Sequence, residues 1–126
     1  MKHFFTLSLL VVLCSSFVKF VGIDDVIAAM KTGNSAAVAR FFDKSVEISM
    51  PDKSNSYSKS QAELVLKDFF TSNPVKSFEI IHKGENAGSQ YCIGTLQTKN
   101  GTYRTTIFMK QKDNSQVLQE LRFENR

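Results

Sequence analysis

Cysteine and histidine are scarce in this chain of 126 residues, which contains two of each. Cys14 lies in an apolar N-terminal stretch that we interpret below as a cleaved export signal, and its removal leaves Cys92 alone. A single cysteine cannot form an internal disulfide, so the stability of the remaining domain must come from its packed core. One cysteine and one histidine, His82, without paired spacing also argue against a zinc site. We therefore expect neither a metal nor a cofactor.

The sequence also lacks clusters of basic residues. The whole chain has a formal net charge of +4, and removal of Lys2 and Lys19 leaves 14 basic and 12 acidic residues, a net charge of +2. The remaining lysines occur singly, whereas proteins that bind nucleic acid usually concentrate Lys and Arg on one stripe or helix. Scattered charge of this kind is typical of a solvated surface and argues against nucleic-acid binding.

No apolar run is long enough to cross a membrane. Phe4–Leu13 contains only two polar residues, but Lys19 interrupts the stretch before it reaches the ~20 apolar residues that a spanning helix needs. A short basic start, a short apolar core and the small residues Cys14–Ser16 are typical of a secretory signal peptide. We predict that residues 1–20 direct export to the periplasm or the extracellular space, and that residues 21–126 form one domain.

Two details of processing stay open. Ser16 is an acceptable small residue before a cleavage site, and a cut near Val21 or Gly22 competes with it. Cys14 raises the alternative that the chain is lipidated and tethered to a membrane, since bacterial lipoprotein signals resemble a short apolar run that ends in a small residue before a cysteine. Leu13 occupies that position here, which argues against lipidation.

Hydrophobic periodicity predicts two short helices at the start of the domain. The first has Asp24 and Asp25 in its first turn, where carboxylates complement the helix dipole, and it ends at Gly33. Asn34 or Ser35 can cap the second helix. The predicted buried faces are Ile23, Val26, Ile27 and Met30 in the first helix, and Val38, Phe41 and Phe42 in the second.

A hairpin and a third helix follow. A half-buried strand with Val46, Ile48 and Met50 turns through the polar segment Pro51–Ser56 into a short return strand that includes Tyr57. Ser58 or Ser60 then fits a capping box, and Asn73-Pro74 closes the helix. The predicted buried face of this helix is Ala62, Val65, Leu66 and Phe69.

From Val75 onward every segment is typical of a strand, and we predict a four-stranded antiparallel meander. Phe78, Ile80 and His82 are expected to share one face of its first strand, and Val117, Leu121 and Phe123 one face of its last. Asn100-Gly101 predicts a two-residue loop with positive φ at both positions, which pairs Thr98 with Tyr103 and Leu96 with Thr105. One face is then Cys92, Gly94, Leu96, Thr105, Ile107 and Met109; the other is Tyr91, Ile93, Thr95, Arg104, Thr106 and Phe108.

This order of elements indicates an α+β domain in which N-terminal helices pack on a curved antiparallel sheet. It resembles the nuclear-transport-factor-two-like fold, a cystatin-like cone in which the sheet wraps around helices. The sequence more closely resembles a small secreted family called domain of unknown function 4783, from about Ile23 to Phe123. The stretches that carry this resemblance are Tyr57–Glu63, Leu66–Phe70, Lys76–Phe78, Gly88–Tyr91, Ile93–Leu96 and Asn100–Arg104. The resemblance implies the cone-shaped fold, and it implies no activity because the family has none assigned.

Five residues are candidates for a ligand-binding site, although none belongs to a catalytic motif: Tyr91, Tyr103, Arg104, His82 and Asp68. Either tyrosine could donate a hydrogen bond in a pocket, but tyrosines also suit half-buried strands. Arg104 could bind an anion, or form an ordinary ion pair with Glu120 or Glu79.

His82 and Asp68 also have two interpretations each. His82 could act as an acid or base, or be a surface residue near a strand end. Asp68 follows Lys67 and precedes two phenylalanines on the third helix, where trapping against aromatic rings would raise its pKa. Its position away from the predicted buried face favours solvent exposure instead. Cys92 is expected to be a small buried strand residue.

Both faces of the predicted sheet carry apolar side chains, and three short helices can cover only one of them. The uncovered face is then a homodimer interface or a surface that contacts a small apolar ligand, and we favour the dimer. The leading hypothesis is an exported, non-catalytic ligand-binding or protein-interaction module. The alternative is a small-molecule isomerase or dehydratase, because enzymes of the resembling fold place an Asp or His base and a Tyr donor inside the cone.

Overall fold

The structure is a computed structural model that describes residues 22–126. The predicted signal peptide and Cys14 lie outside these residues. The helices are α1 (Ile23–Lys31), α2 (Ser35–Ala39) and α3 (Lys59–Ser72). The strands are β1 (Phe42–Ser49), β2 (Ser54–Ser58), β3 (Val75–Asn86), β4 (Ser89–Thr98), β5 (Gly101–Lys112) and β6 (Ser115–Asn125).

Helices α1 and α2 form where the apolar spacing predicts them. The Asp25 carboxylate accepts a hydrogen bond from the Gly22 backbone N–H (3.3 Å), and Gly33 ends α1 with a φ of +65°. Asn34 caps α2 by accepting from the Ala37 N–H. Helix α2 is shorter than predicted, since it ends at Ala39 and Phe42 is already the first residue of β1.

The polar loop and helix α3 also follow the prediction. The Ser58 hydroxyl accepts a hydrogen bond from the Gln61 N–H (3.3 Å) and caps α3, and Asn73 ends it before Pro74. Of the predicted buried face, Ala62 and Leu66 are fully buried whereas Val65 and Phe69 are half-buried. Phe70 is also buried, which was not predicted.

A mixed six-stranded sheet forms the other layer, in the order β2-β1-β6-β5-β4-β3. The four C-terminal strands are the predicted antiparallel meander, but β1 pairs in parallel with β6. The expectation of a purely antiparallel sheet is therefore wrong at this one junction. The helices contribute to a single core cluster with one face of the sheet, and we call the opposite face of β4, β5 and β6 the outer face.

The loop of the β4–β5 hairpin lies one residue earlier than predicted, which shifts the pairing register by two residues. Thr98 pairs with Gly101 and Leu96 with Tyr103, so Lys99-Asn100 forms the loop, and neither Asn100 nor Gly101 has a positive φ. Contacts with the end of α3 hold this turn, since the Lys99 N–H donates to the Pro74 carbonyl (2.9 Å). A shift of two residues preserves the side-chain alternation, and both predicted faces are confirmed.

Two β-bulges change which side chains face the core in β3 and β6, the first and last strands of the meander. Between Ile80 and His82 the pairing with β4 slips by one residue, so His82 turns away from the core face that Phe78 occupies. A second bulge interrupts the β5–β6 pairing between Phe108 and Met109, and Leu118 is buried in place of Val117. An extra residue inverts the alternation at each point, which hydrophobic spacing alone does not reveal.

Candidate functional site

Aromatic side chains fill the space between α3 and the sheet. The rings of Phe69 and Phe123 are stacked with centroids 4.4 Å apart, and Tyr103 packs edge-on against Phe69 at 5.2 Å. The Tyr103 hydroxyl donates to Asn73 Oδ1 (2.9 Å) at the end of α3. Tyr103 thus lies on the core side, and its donor already anchors a helix terminus.

Tyr91 and His82 meet on the outer face. The β3 bulge turns His82 toward this side, and its Nε2 lies 2.7 Å from the Tyr91 hydroxyl. His82 is exposed and Tyr91 is half-buried. The structure therefore brings together two of the five predicted candidates, on the opposite side of the sheet from Tyr103.

Arg104 is an exposed residue on the outer face of β5. It stands opposite Thr95 on β4 and Glu124 on β6. Among residues 22–126 it forms no ion pair, and Glu120 is instead bound by Arg122 at 2.9 Å. The expected ion pair of Arg104 with Glu120 or Glu79 is therefore absent.

The outer face combines a small apolar patch with charges of both signs. Its partly buried apolar side chains, the outer patch, are Tyr91, Ile93, Phe108 and Val117. Tyr91 stands directly opposite Phe108, which is an aromatic cross-strand pair of the kind that stabilises sheets. Two arginines and two glutamates alternate beside the patch: Arg104, Arg122, Glu120 and Glu124.

Asp68 is exposed, as its position outside the buried face of α3 predicts. It lines a groove of about 370 Å³ between α3 and the β1–β2 loop, with Met50, Val65 and Phe69 as apolar lining. The remaining lining residues are Pro51, Asp52 and Lys53 of the loop, and Ser72 and Asn73 at the end of α3. Volumes of this order suit small ligands.

A second groove of about 420 Å³ lies between β2 and α3. Its lining is Asn55, Ser56, Tyr57, Gln61, Leu64 and Val65. Val65 lines both grooves, so together they follow the side of α3 along β2. Leu64 is 61% exposed, the most exposed large apolar side chain among residues 22–126.

The lone thiol of the described residues has no nucleophilic setting. Cys92 is fully buried, and burial raises its pKa to about 11 although Lys83 on the neighbouring strand opposes the rise. The prediction of a buried strand cysteine is confirmed. His82 faces the other side of the sheet, so the two residues form no acid–base pair.

An interaction that sequence analysis missed lies where β1 begins. The Asp43 side chain, 12% exposed, accepts hydrogen bonds from Lys112 Nζ (3.1 Å) and Gln119 Nε2 (3.1 Å). Burial works against ionisation of Asp43, but these bonds and one from the Lys44 N–H outweigh it and lower its pKa. Partners 69 and 76 residues away leave no local signal in the sequence.

Within the described part of the chain, no three His, Cys, Asp or Glu side chains are grouped closely enough to hold a metal ion. None of the helices in residues 22–126 has the length and apolar character needed to span a membrane.

Residues 23–124 match the sequence profile of Domain of unknown function (DUF4783). The chain belongs to this family. A DUF4783 family protein from Bacteroides uniformis ATCC 8492 has a similar crystal structure, with 31% identity, a TM-score of 0.79, and coverage of 82% of this chain and 95% of that one. One from Bacteroides fragilis YCH46 shares 32% identity, with a TM-score of 0.76 and coverage of 81% and 96%.

The wider fold is also confirmed for this DUF4783 chain. An NTF2-like protein of unknown function from Cytophaga hutchinsonii ATCC 33406 covers 81% of this chain and 84% of its own, with a TM-score of 0.58. At 11% identity this likeness shows the fold alone. No curated protein matches the sequence. Since a fold does not determine a function, any role must be argued from the surfaces described above.

Proposed function

We propose that this protein is an exported, non-catalytic interaction module that forms a homodimer through its outer face. The observation that carries the proposal is the outer patch, where Tyr91, Ile93, Phe108 and Val117 lie on the side of the sheet that the helices do not cover. Apolar side chains grouped on an otherwise polar face are a usual mark of an interaction surface.

A second copy is the partner that the charges of this face favour. A symmetric dimer brings the same patch of both subunits together, so the patch must complement itself. Arg104 and Arg122 alternate with Glu120 and Glu124 beside the apolar centre. A two-fold axis through that centre can place arginines of one subunit against glutamates of the other.

The packing of the cone interior supports a role without catalysis. Phe69, Tyr103 and Phe123 occupy the space where an enzyme of this fold would hold its substrate. The candidate acid–base residue His82 lies outside that space and is bound to Tyr91. These placements weigh against the isomerase or dehydratase alternative, and export is supported by the composition of residues 1–20.

Sedimentation velocity of the purified protein between 5 and 500 μM (about the range of weak dimers) tests the proposal. The protein should sediment as a dimer at the upper concentrations, and Phe108→Glu should shift it to a monomer because a charge would be buried at the centre. Leu64→Glu, on α3, is the matched control and should leave the dimer intact. A monomer throughout the series would refute the dimer, and equal behaviour of both variants would refute the outer patch as the interface.

A further inference from the structure

Within residues 22–126, the edge of the sheet at β2 has backbone groups that face no other strand. The Met50 N–H donates to the Lys53 carbonyl (2.7 Å) and the Lys53 N–H to the Met50 carbonyl (3.3 Å). Hydrogen-bonded pairs alternate along an antiparallel ladder, so the pairs of Ile48 with Asn55 and Val46 with Tyr57 are also hydrogen-bonded. The backbone groups of the intervening Ser54 and Ser56 therefore point away from β1, at the open edge.

The side chains of β2 alternate with these backbone groups. Asn55 and Tyr57 pair with Ile48 and Val46, whose side chains are in the core, and so they lie on the side of the sheet that α3 covers. Both line the groove in which Leu64 is exposed. An extended segment added to this edge would bond to Ser54 and Ser56, and its side chains opposite Tyr57 and Asn55 would point toward α3.

Charge sets the second requirement on such a segment. Where the groove continues toward the β1–β2 loop it is lined by Asp68 and Asp52, with Lys53 as the one cation, and neither carboxylate is ion-paired within residues 22–126. The net negative charge of this end favours a basic side chain. Leu64 and Asp68 are one helical turn apart, about 6 Å along α3. Side chains two residues apart on a strand are about 6.6 Å apart, which matches this spacing.

We propose that β2 and α3 bind an extended peptide segment of another protein by strand addition. The segment pairs antiparallel with β2, places an apolar side chain against Leu64, and places a basic side chain two residues later against Asp68 and Asp52. Main-chain hydrogen bonds to Ser54 and Ser56 supply affinity, and the two side chains supply selectivity. This surface is separate from the outer patch, so the proposal stands or falls independently of the dimer.

The probe is the peptide acetyl-Thr-Leu-Thr-Lys-Thr-amide, titrated into the ¹⁵N-labelled protein. Binding should shift the amide signals of Ser54 and Ser56 and slow their hydrogen exchange, while Asn55 and Tyr57, which already bond to β1, change little in exchange rate. The peptide N-methylated at its central threonine should not bind, because it lacks the N–H that pairs at Ser56. Equal binding by the methylated peptide, or protection without this alternation, would overturn strand addition.

Variants of the protein separate the three contributions. Ser56→Pro should abolish binding by removing the edge donor, whereas Ser56→Ala should retain it. Asp68→Asn should weaken the lysine peptide about two- to fivefold and Glu63→Gln, on the exposed side of the same helix, should not. A glutamate in place of the peptide lysine should weaken binding to the wild-type protein. If Ser56→Pro instead converts a dimer to a monomer in sedimentation velocity, the edge pairs with a second copy and the peptide proposal is wrong.

Discussion

The Tyr91 hydroxyl hydrogen-bonds to His82 Nε2 at 2.7 Å across two adjacent strands. Regular alternation would place His82 on the core side with Phe78, and the bulge after Ile80 brings it to the outer face instead. Gly84, which pairs with Tyr91, leaves room for the ring, because a Cβ at this position would lie 2.7 Å from Tyr91 Cζ. One bulge and one glycine together create this contact.

Gly84→Ala should therefore displace the Tyr91 ring and separate it from His82. We expect the free energy of unfolding to fall by about 1–3 kcal/mol, the range typical of an added methyl group without space. Urea denaturation followed by circular dichroism measures this change. Gly94→Ala should be more harmful, because its Cβ would lie 2.7 Å from the Glu79 backbone oxygen, which cannot rotate away. An equal effect at both glycines would contradict this account.

Tyr103→Phe should destabilise the protein by removing the hydroxyl that holds Asn73 at the end of α3. The expected loss is about 0.5–1.5 kcal/mol, since the ring packing against Phe69 is retained. Tyr57→Phe is the matched control, because within residues 22–126 the Tyr57 hydroxyl has only a long 3.4 Å contact with Asn55. Thermal and urea unfolding should show a loss in the first variant alone.

Acid should remove the stabilisation that Asp43 provides. Its folded-state pKa is depressed by bonds from Gln119, Lys44 and Lys112 that outweigh the effect of burial, so this contribution is present above the unfolded-state pKa of about 3.9. It is lost as the pH falls through the lower folded-state value. Asp43→Asn should cost about 1–3 kcal/mol at pH 7 and progressively less below pH ~4.

Asp52→Asn serves as the control for this pH series, because Asp52 is exposed and has no ion pair within the described residues. Its stability should follow the wild-type curve at every pH. A gap between wild type and Asp43→Asn that stays constant into acid would exclude the carboxylate as its source.

Cys92 should resist alkylation by iodoacetamide at pH 8 in the folded protein. Its pKa of about 11 leaves very little thiolate, and its side chain is fully buried. Reaction should become fast in concentrated urea, where both restraints disappear. Mass spectrometry of the alkylated protein measures this contrast, and rapid labelling without denaturant would show that β4 opens readily.

Much of the fold is predictable from local patterns. Ile23, Val26, Ile27 and Met30 are buried on one side of α1, as their spacing requires. The alternation along β4 and β5 survives even though the turn between them is misplaced, because an even shift keeps each side chain on its face. Helix caps are equally local, which explains why Asn34 and Ser58 are each one of the two candidates that the sequence offers for their helix.

The rest depends on contacts between distant parts of the chain. The β4–β5 turn is held by Pro74, 25 positions before its partner Lys99 in the sequence. The two bulges that reorient His82 and bury Leu118 arise in the pairing with β4 and β5, which hydrophobic spacing within one strand does not reveal. Of the candidate residues, Tyr91 and His82 could be joined only once the first bulge was known, and the groove beside β2 needs the packing of α3.

The parallel pairing of β1 with β6 imposes an order on assembly. β6 is the last strand in sequence among the described residues, yet it lies in the middle of the sheet, between β1 and β5. The β1–β2 hairpin can pack against α3, but β1 has no strand to pair with on its other side until residues 115–125 have been synthesised, and this pairing then closes a loop of about 70 residues. Contacts of such long sequence separation slow folding. During translation, the edge of β1 that later pairs with β6 therefore stays unpaired.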